Sequence, residues 1–144
     1  MELSLFQDHF LGRLENLLFL VTAVISGVML LWTMVTGAGI KEVDAREAVQ
    51  LINYQDALVL DVRDDSEFAA GHSPSAKHVP SEKIKERLSE LERFKEKPIV
   101  VIYSGGVHSN SASMVLRKNG FKQVVNLMGG IDAWKRAGLP MVKR

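Results

Sequence analysis

The chain has 144 residues, a formal net charge of +1 and no cysteine. That length suits one modest domain plus an appendage, and the near-neutral charge argues against nucleic acid as a partner. Without cysteine the chain has no disulfide, no thiolate metal site and no persulfide chemistry of its own.

Residues 1–16 form an N-terminal tail in which Glu2, Asp8 and Glu15 oppose Arg13. Leu17 to Thr36 follows as twenty residues without a charge. As a helix this run would extend about 30 Å, the thickness of a bilayer's hydrocarbon core. Trp32 lies near its C-terminal boundary, where an interfacial aromatic is favoured. The run reads as a transmembrane helix, with the lipid bilayer as partner of residues 17–36. A cleaved leader is the competing reading, since Thr36-Gly37-Ala38 offers small residues at a cleavage site. Leader peptides, however, carry an apolar region of about 7–15 residues behind a basic stretch. Ala23 and Gly27 make a small-xxx-small pair of the kind that lets two helices approach. Such pairs arise often by chance, and the oligomeric state stays open.

Basic residues flanking the span set its orientation. Arg13 and the terminal amine stand on one side, Lys41 and Arg46 on the other, which leans by a single charge toward a cytoplasmic C-terminal domain. Residues 41–144 carry 17 basic and 14 acidic side chains, a slight excess that suits work near an anionic membrane.

Residues 37–42 read as a linker around Gly37-Ala38-Gly39. From residue 43 helix and strand alternate. Ala45–Asn53 is expected as a helix with Asp44 as N-cap, and Ala57–Val62 as a strand buried on both faces. Ser66–Ala70 is a brief helix stopped by Gly71, and Lys77–Pro80 a short strand. Ser81–Lys95 reads as an amphipathic helix with Ile84, Leu88, Leu91 and Phe94 on one face and mixed charge on the other. Ile99–Tyr103 is a strand, and Ser109–Asn119 a helix ended by Asn119-Gly120. Val124–Leu127 is a last strand before a helix around Ala133-Trp134. Alternating strands and helices imply an α/β fold with a parallel sheet covered on both faces.

Ligands in such sheets bind beyond the carboxyl ends of the strands. There Tyr103-Ser104-Gly105-Gly106-Val107-His108 joins a strand to a helix, and a glycine-bearing turn at a helix amino end can gather backbone N–H groups around an anion. Ser104 to Ser109 is therefore a candidate anion cradle. Ser104 or Ser109 beside His108 hints at a nucleophile and base, but no orienting carboxylate is identifiable. His72, His78 and His108 lack the i,i+4 spacing of helical metal ligands, so no metal site is expected; no cofactor is expected either. Asp61 and Arg63 read as a structural hydrogen-bonding pair and Trp134 as core packing.

The assembled order resembles a single rhodanese domain across residues 43–144. The matching blocks are Leu60-Asp61-Val62-Arg63 with Glu67-Phe68 and Gly71-His72, then Phe121, Gly129-Gly130-Ile131 with Ala133-Trp134, and Gly138-Leu139-Pro140. The resemblance implies a five-stranded, mainly parallel sheet flanked by helices, here preceded by the transmembrane helix. Small bacterial inner-membrane rhodanese-like proteins are similar in this layout, which makes that membrane the expected location. It also implies that His72 braces the turn after Gly71. In active members the six-residue loop reads Cys-x-x-Gly-x-Arg, and the cysteine carries sulfur as a persulfide.

On that pattern Tyr103 stands at the cysteine position, Gly106 at the glycine and His108 at the arginine. A phenol titrates near 10 and is a far poorer sulfur acceptor than a thiolate, and a histidine is no fixed cation. No catalytic residue is assigned, and thiosulfate sulfurtransfer is not expected. Three functional readings remain: a silent domain that binds another protein, an accessory sulfur-trafficking protein that uses a partner's cysteine, and, ranked below both, an anion-sensing module.

Overall fold

The computed structural model describes residues 1–36, 39–104 and 108–143, and the chain divides into two compact units, residues 1–39 and 40–144. The first unit is one helix, α1 (Glu2–Thr36), of 35 residues. Residues 2–16 of the expected N-terminal tail belong to that same helix. Within it Phe10–Thr33, 24 residues, is long and apolar enough to cross a membrane, and its apolar side chains are exposed throughout. At ~1.5 Å per residue this window measures about 36 Å, more than a bilayer core.

Two hydroxyls in the window are satisfied by the helix itself. Thr22 donates to the carbonyls of Leu18 (3.0 Å) and Phe19 (2.9 Å), and Thr33 to that of Leu30 (2.8 Å). A polar group that bonds its own helix costs far less to place in hydrocarbon than an unmatched one.

The second unit is built on a five-stranded sheet: β1 (Lys41–Val43), β2 (Leu58–Asp61), β3 (Lys77–His78), β4 (Pro98–Ile102) and β5 (Gln123–Leu127). Their order is β1-β5-β4-β2-β3, and every pairing is parallel. Around them lie α2 (Ala45–Gln55), α3 (Asp65–Ala70), α4 (His108–Lys118) and α5 (Gly130–Arg136).

The two-residue alternation of a strand sorts the central side chains cleanly. Leu58, Leu60, Ile99 and Val101 pack on one face with Ala112 and Leu116 of α4, and with Ile84 and Leu91. Val59, Val100 and Ile102 pack on the other with Ala48 of α2 and Ile131 and Trp134 of α5. Apolar residues at consecutive positions are thus required, because helices cover both sides.

Local signals place the helix ends. Asp44 caps α2 by accepting the Glu47 N–H at 2.7 Å, and Asp56 closes it in the left-handed region (φ 52°). Asp56 also pairs with Lys97. Asp64 and Glu67 form a reciprocal capping box at α3, which satisfies two otherwise orphaned donors.

Two expectations are corrected. Residues 37–42 are not all linker, because β1 begins at Lys41 and pairs with Val125, Asn126 and Leu127 of β5. Ser81–Lys95 is not one α-helix but two 3₁₀ segments, Ser81–Lys83 and Leu88–Phe94. The apolar face is as expected, with Ile84 and Leu91 fully buried and Leu88 and Phe94 packed against the same core. Leu88, Leu91 and Phe94 recur every third residue, which aligns them on a helix of three residues per turn.

Candidate functional site at the carboxyl ends of the strands

Three chain segments meet beyond the sheet's carboxyl edge. β2 runs into Val62-Arg63-Asp64, β4 into Tyr103 and Ser104, and β5 into the Met128-Gly129-Gly130 turn. Val62 N–H donates to the Ile102 carbonyl (3.0 Å), extending the β2–β4 pairing to the rim.

The polar wall after β2 is closed upon itself. Arg63 and Asp61 are both buried, and the guanidinium meets the carboxylate through Nε (3.0 Å to Oδ1) and Nη2 (2.8 Å to Oδ2). The remaining donors reach the carbonyls of Glu67 (3.2 Å) and Gly71 (2.7 Å). A buried ion pair is stable only when its spare donors and lone pairs are also matched. Here that matching ties the end of β2 to the middle of α3 and to its carboxyl cap, so the pair acts as a brace.

Behind it Phe68 is stacked between two imidazoles, His72 at 3.7 Å and His78 at 4.1 Å between ring centroids. His72 Nδ1 donates to the Phe68 carbonyl (2.7 Å) and His78 Nε2 to that of Arg63 (2.9 Å). Both rings therefore serve the local fold. Among the described residues no group of His, Cys, Asp and Glu is placed to hold a metal ion.

Tyr103 begins the loop. Its ring is half-buried against the core that holds Leu60, Val101 and Ala112, and its backbone is clamped from the other side. The Tyr103 carbonyl accepts the Ile131 N–H at 2.8 Å. Gly130 adopts φ +55°, and a Cβ there would lie 2.1 Å from that carbonyl oxygen. Only glycine fits, both for the left-handed backbone and for the close approach. Of the remaining loop residues, Gly105, Gly106 and Val107 lie outside the described residues, as do the side chains of His108 and Ser109. His108 opens α4 and Ser104 is exposed.

A cleft of about 180 Å³ opens beside Tyr103 and Ser104, with Arg63, Asp64, Glu67 and Glu82 on its walls. A hollow of about 200 Å³ shares Asp64 and Glu82 with it and adds Asp65 and Lys83. The Asp64 carboxyl is held below its usual range by the Glu67 N–H, then by the Ser66 hydroxyl. Carboxylates therefore outnumber cations on the described walls, since the Arg63 charge is already matched by Asp61. Like charges about 4 Å apart repel by about 1 kcal/mol in water and more in a cleft of lower dielectric. The described walls, taken by themselves, disfavour a small anion.

Sequence reasoning located Tyr103, Ser104 and the Asp61–Arg63 pair but missed three features. Gly130 was legible only as half of a glycine pair; its contact with Tyr103 is tertiary. The capping box has a local signal, Asp64-Asp65-Ser66-Glu67, with the acceptor three residues before the glutamate. The acidic cleft depends on bringing Glu82 to the residues after β2, which spacing does not reveal.

This parallel sheet, with its buried Asp-Arg brace and its glycine-clamped loop after the fourth strand, defines a rhodanese-like domain. The family model for the rhodanese-like domain matches residues 44–137, and the chain belongs to that family. An uncharacterized protein of Escherichia coli K12, YibN, is 33% identical over 136 residues, covering 94% of this chain and 95% of that protein. That match takes in most of α1 as well as the domain. A protein of Allochromatium vinosum named as a sulfurtransferase is 36% identical over 104 residues, covering 72% of this chain and 95% of its own. Among solved structures, the Alr3790 protein of Anabaena superposes with a TM-score of 0.63 at 32% identity, covering 71% of this chain and 82% of that one.

Proposed function

We propose that this is a single-span protein of the bacterial inner membrane whose rhodanese-like domain is catalytically silent and serves to bind another protein, facing the cytoplasm. The observation that carries the reading is Tyr103. It stands where the family's loop begins, on a backbone held by Ile131 and Gly130, and no cysteine exists anywhere in the chain. The acidic cleft supports it, because a wall of carboxylates suits a thiosulfate-like donor poorly. The self-satisfied apolar helix supports the membrane part of the reading. What the frame still offers is shape, and shape held beside a membrane serves recognition.

The test is affinity capture with the full chain from detergent-solubilised membranes, run beside a Ser104→Trp variant that fills the exposed start of the loop. A reproducible partner lost from the variant is expected. An identical set of proteins from both, or no reproducible protein from either, contradicts the reading.

A second reading, assistance in sulfur transfer with a cysteine supplied by a partner, is favoured by the relative named as a sulfurtransferase. It requires that a persulfide-bearing partner, mixed with this chain, release thiocyanate to cyanide faster than the partner alone.

A further inference from the structure

The middle of β5 carries a side chain that packing alone would not select. Asn126 is fully buried, paired in register with Val101 of β4 and flanked in sequence by Val125 and Leu127. An amide placed among aliphatic side chains costs free energy unless its hydrogen bonds are made. Here they are made to one helix. Ser113, itself fully buried, donates its hydroxyl to Asn126 Oδ1 at 2.5 Å. Asn126 Nδ2 donates in turn to Asn110 Oδ1 at 3.0 Å.

Asn110 and Ser113 stand three residues apart on α4 and so share a face. They belong to the helix's first turns, immediately after the loop that Tyr103 opens. The loop's two ends are therefore held by different devices. Gly130 and Ile131 fix its entry through the Tyr103 carbonyl, and Asn126 fixes its exit through α4.

We propose that Asn126 is a positioning residue, which sets the amino end of α4 against the sheet and so fixes where that helix end stands relative to Tyr103 on the face used for recognition. This deepens the docking reading above and rests on it for the use of that face, though not for the placement of α4. A valine or leucine at position 126 would pack in the sheet but leave the first turns of α4 free to tilt. Asn110 is exposed, so cutting the pin there removes a hydrogen bond without opening the core.

The experiment uses the full chain in detergent with Tyr103→Cys as a reporter, because a thiol at the loop's first position senses the helix end through its ionisation. The pH profile of alkylation by iodoacetamide is measured alone and with Asn126→Leu or Asn110→Ala. The reporter's midpoint is moved from the ordinary thiol value of about 8.5 by two opposed fields, the helix end lowering it and the cleft's carboxylates raising it, so the change on mutation is what is read. Each second substitution should raise that midpoint by about half a pH unit, while the Asn110→Ala melting temperature stays within about 2 °C. Without the reporter, amide exchange over residues 108–113 should quicken about five-fold in Asn110→Ala. Asn110→Asp, which keeps the acceptor, should restore it.

An alkylation profile or exchange pattern unchanged by Asn110→Ala overturns the proposal, even if Asn126→Leu fails to fold. A shifted profile with undiminished partner capture would instead contradict the docking reading and leave the pin in place.

Discussion

The ends of β2 and β4 lie side by side in the sheet, yet they keep their structure by opposite means. After β2 the side chains do the work: Asp61 and Arg63 are buried, mutually paired and bonded to the carbonyls of Glu67 and Gly71. After β4 the backbone does it, through the Tyr103 carbonyl, the Ile131 N–H and the absent Cβ of Gly130. A frame held by side chains fixes the identity of those side chains. A frame held by backbone leaves its own side chain free to change. That contrast explains how the loop can begin with a tyrosine while the rest of the domain keeps its architecture, and it teaches that fold and chemistry are separable at this site.

The contrast is broken most severely at Arg63. Arg63→Ala leaves the Asp61 carboxylate buried without its partner, and the domain should lose about 3–5 kcal/mol, read as a lowered denaturant midpoint. Gly130→Ala comes next. A left-handed backbone costs an alanine about 1–2 kcal/mol, and the clash with the Tyr103 carbonyl adds strain of about 1–3 kcal/mol, so a loss near 3 kcal/mol is expected. By contrast Tyr103→Phe, which keeps ring and backbone, should change stability by less than about 1 kcal/mol. Equal losses at Gly130 and at Tyr103 would show that the Tyr103 hydroxyl matters as much as the backbone contact at the start of the loop.

Smaller effects sharpen the wall after β2. Asp64→Ala removes the capping box of α3 and should cost about 1 kcal/mol by the same measurement. The smallest effect lies at Glu90, which accepts from Arg87 Nε (2.6 Å) and Nη2 (2.8 Å) on the exposed surface. The Arg87 hydrogen bond is the main cause that brings its carboxyl down to about 2 from the ordinary 4.5. A folded value below the unfolded one means the contribution is complete above about pH 4.5 and fades as pH falls toward 2. Acid titration of stability should show Glu90→Gln flattening that decline slightly, with no change at neutral pH beyond the loss of the pair.

Much of the fold was legible in the sequence because its signals are local. The apolar runs of β2 and β4 require a doubly covered sheet, and Asp44 announces the start of α2. The rest depends on distant partners. Lys41-Glu42-Val43 has no strand signal of its own and becomes β1 only by pairing with β5. The three-residue spacing of Leu88, Leu91 and Phe94 did carry the 3₁₀ geometry, but a mixed-charge surface made it resemble an ordinary amphipathic helix. At the site, Tyr103 was conspicuous because it follows a buried strand and opens a glycine turn. The stacking of Phe68 between His72 and His78 was not, since it needs α3 and β3 to be folded first.

The most direct measurement is thiocyanate formation from thiosulfate and cyanide by the full chain in detergent, wild type beside Tyr103→Cys. An intact frame without a reagent predicts no turnover by the wild type and, in the variant, a thiol that takes up the sulfane sulfur of thiosulfate as a persulfide, releasing sulfite, at a rate held down by the acidic wall. Thiocyanate formed by the wild-type protein would contradict catalytic silence outright. A variant thiol that accepts no sulfur from any donor would show that the frame itself has been lost.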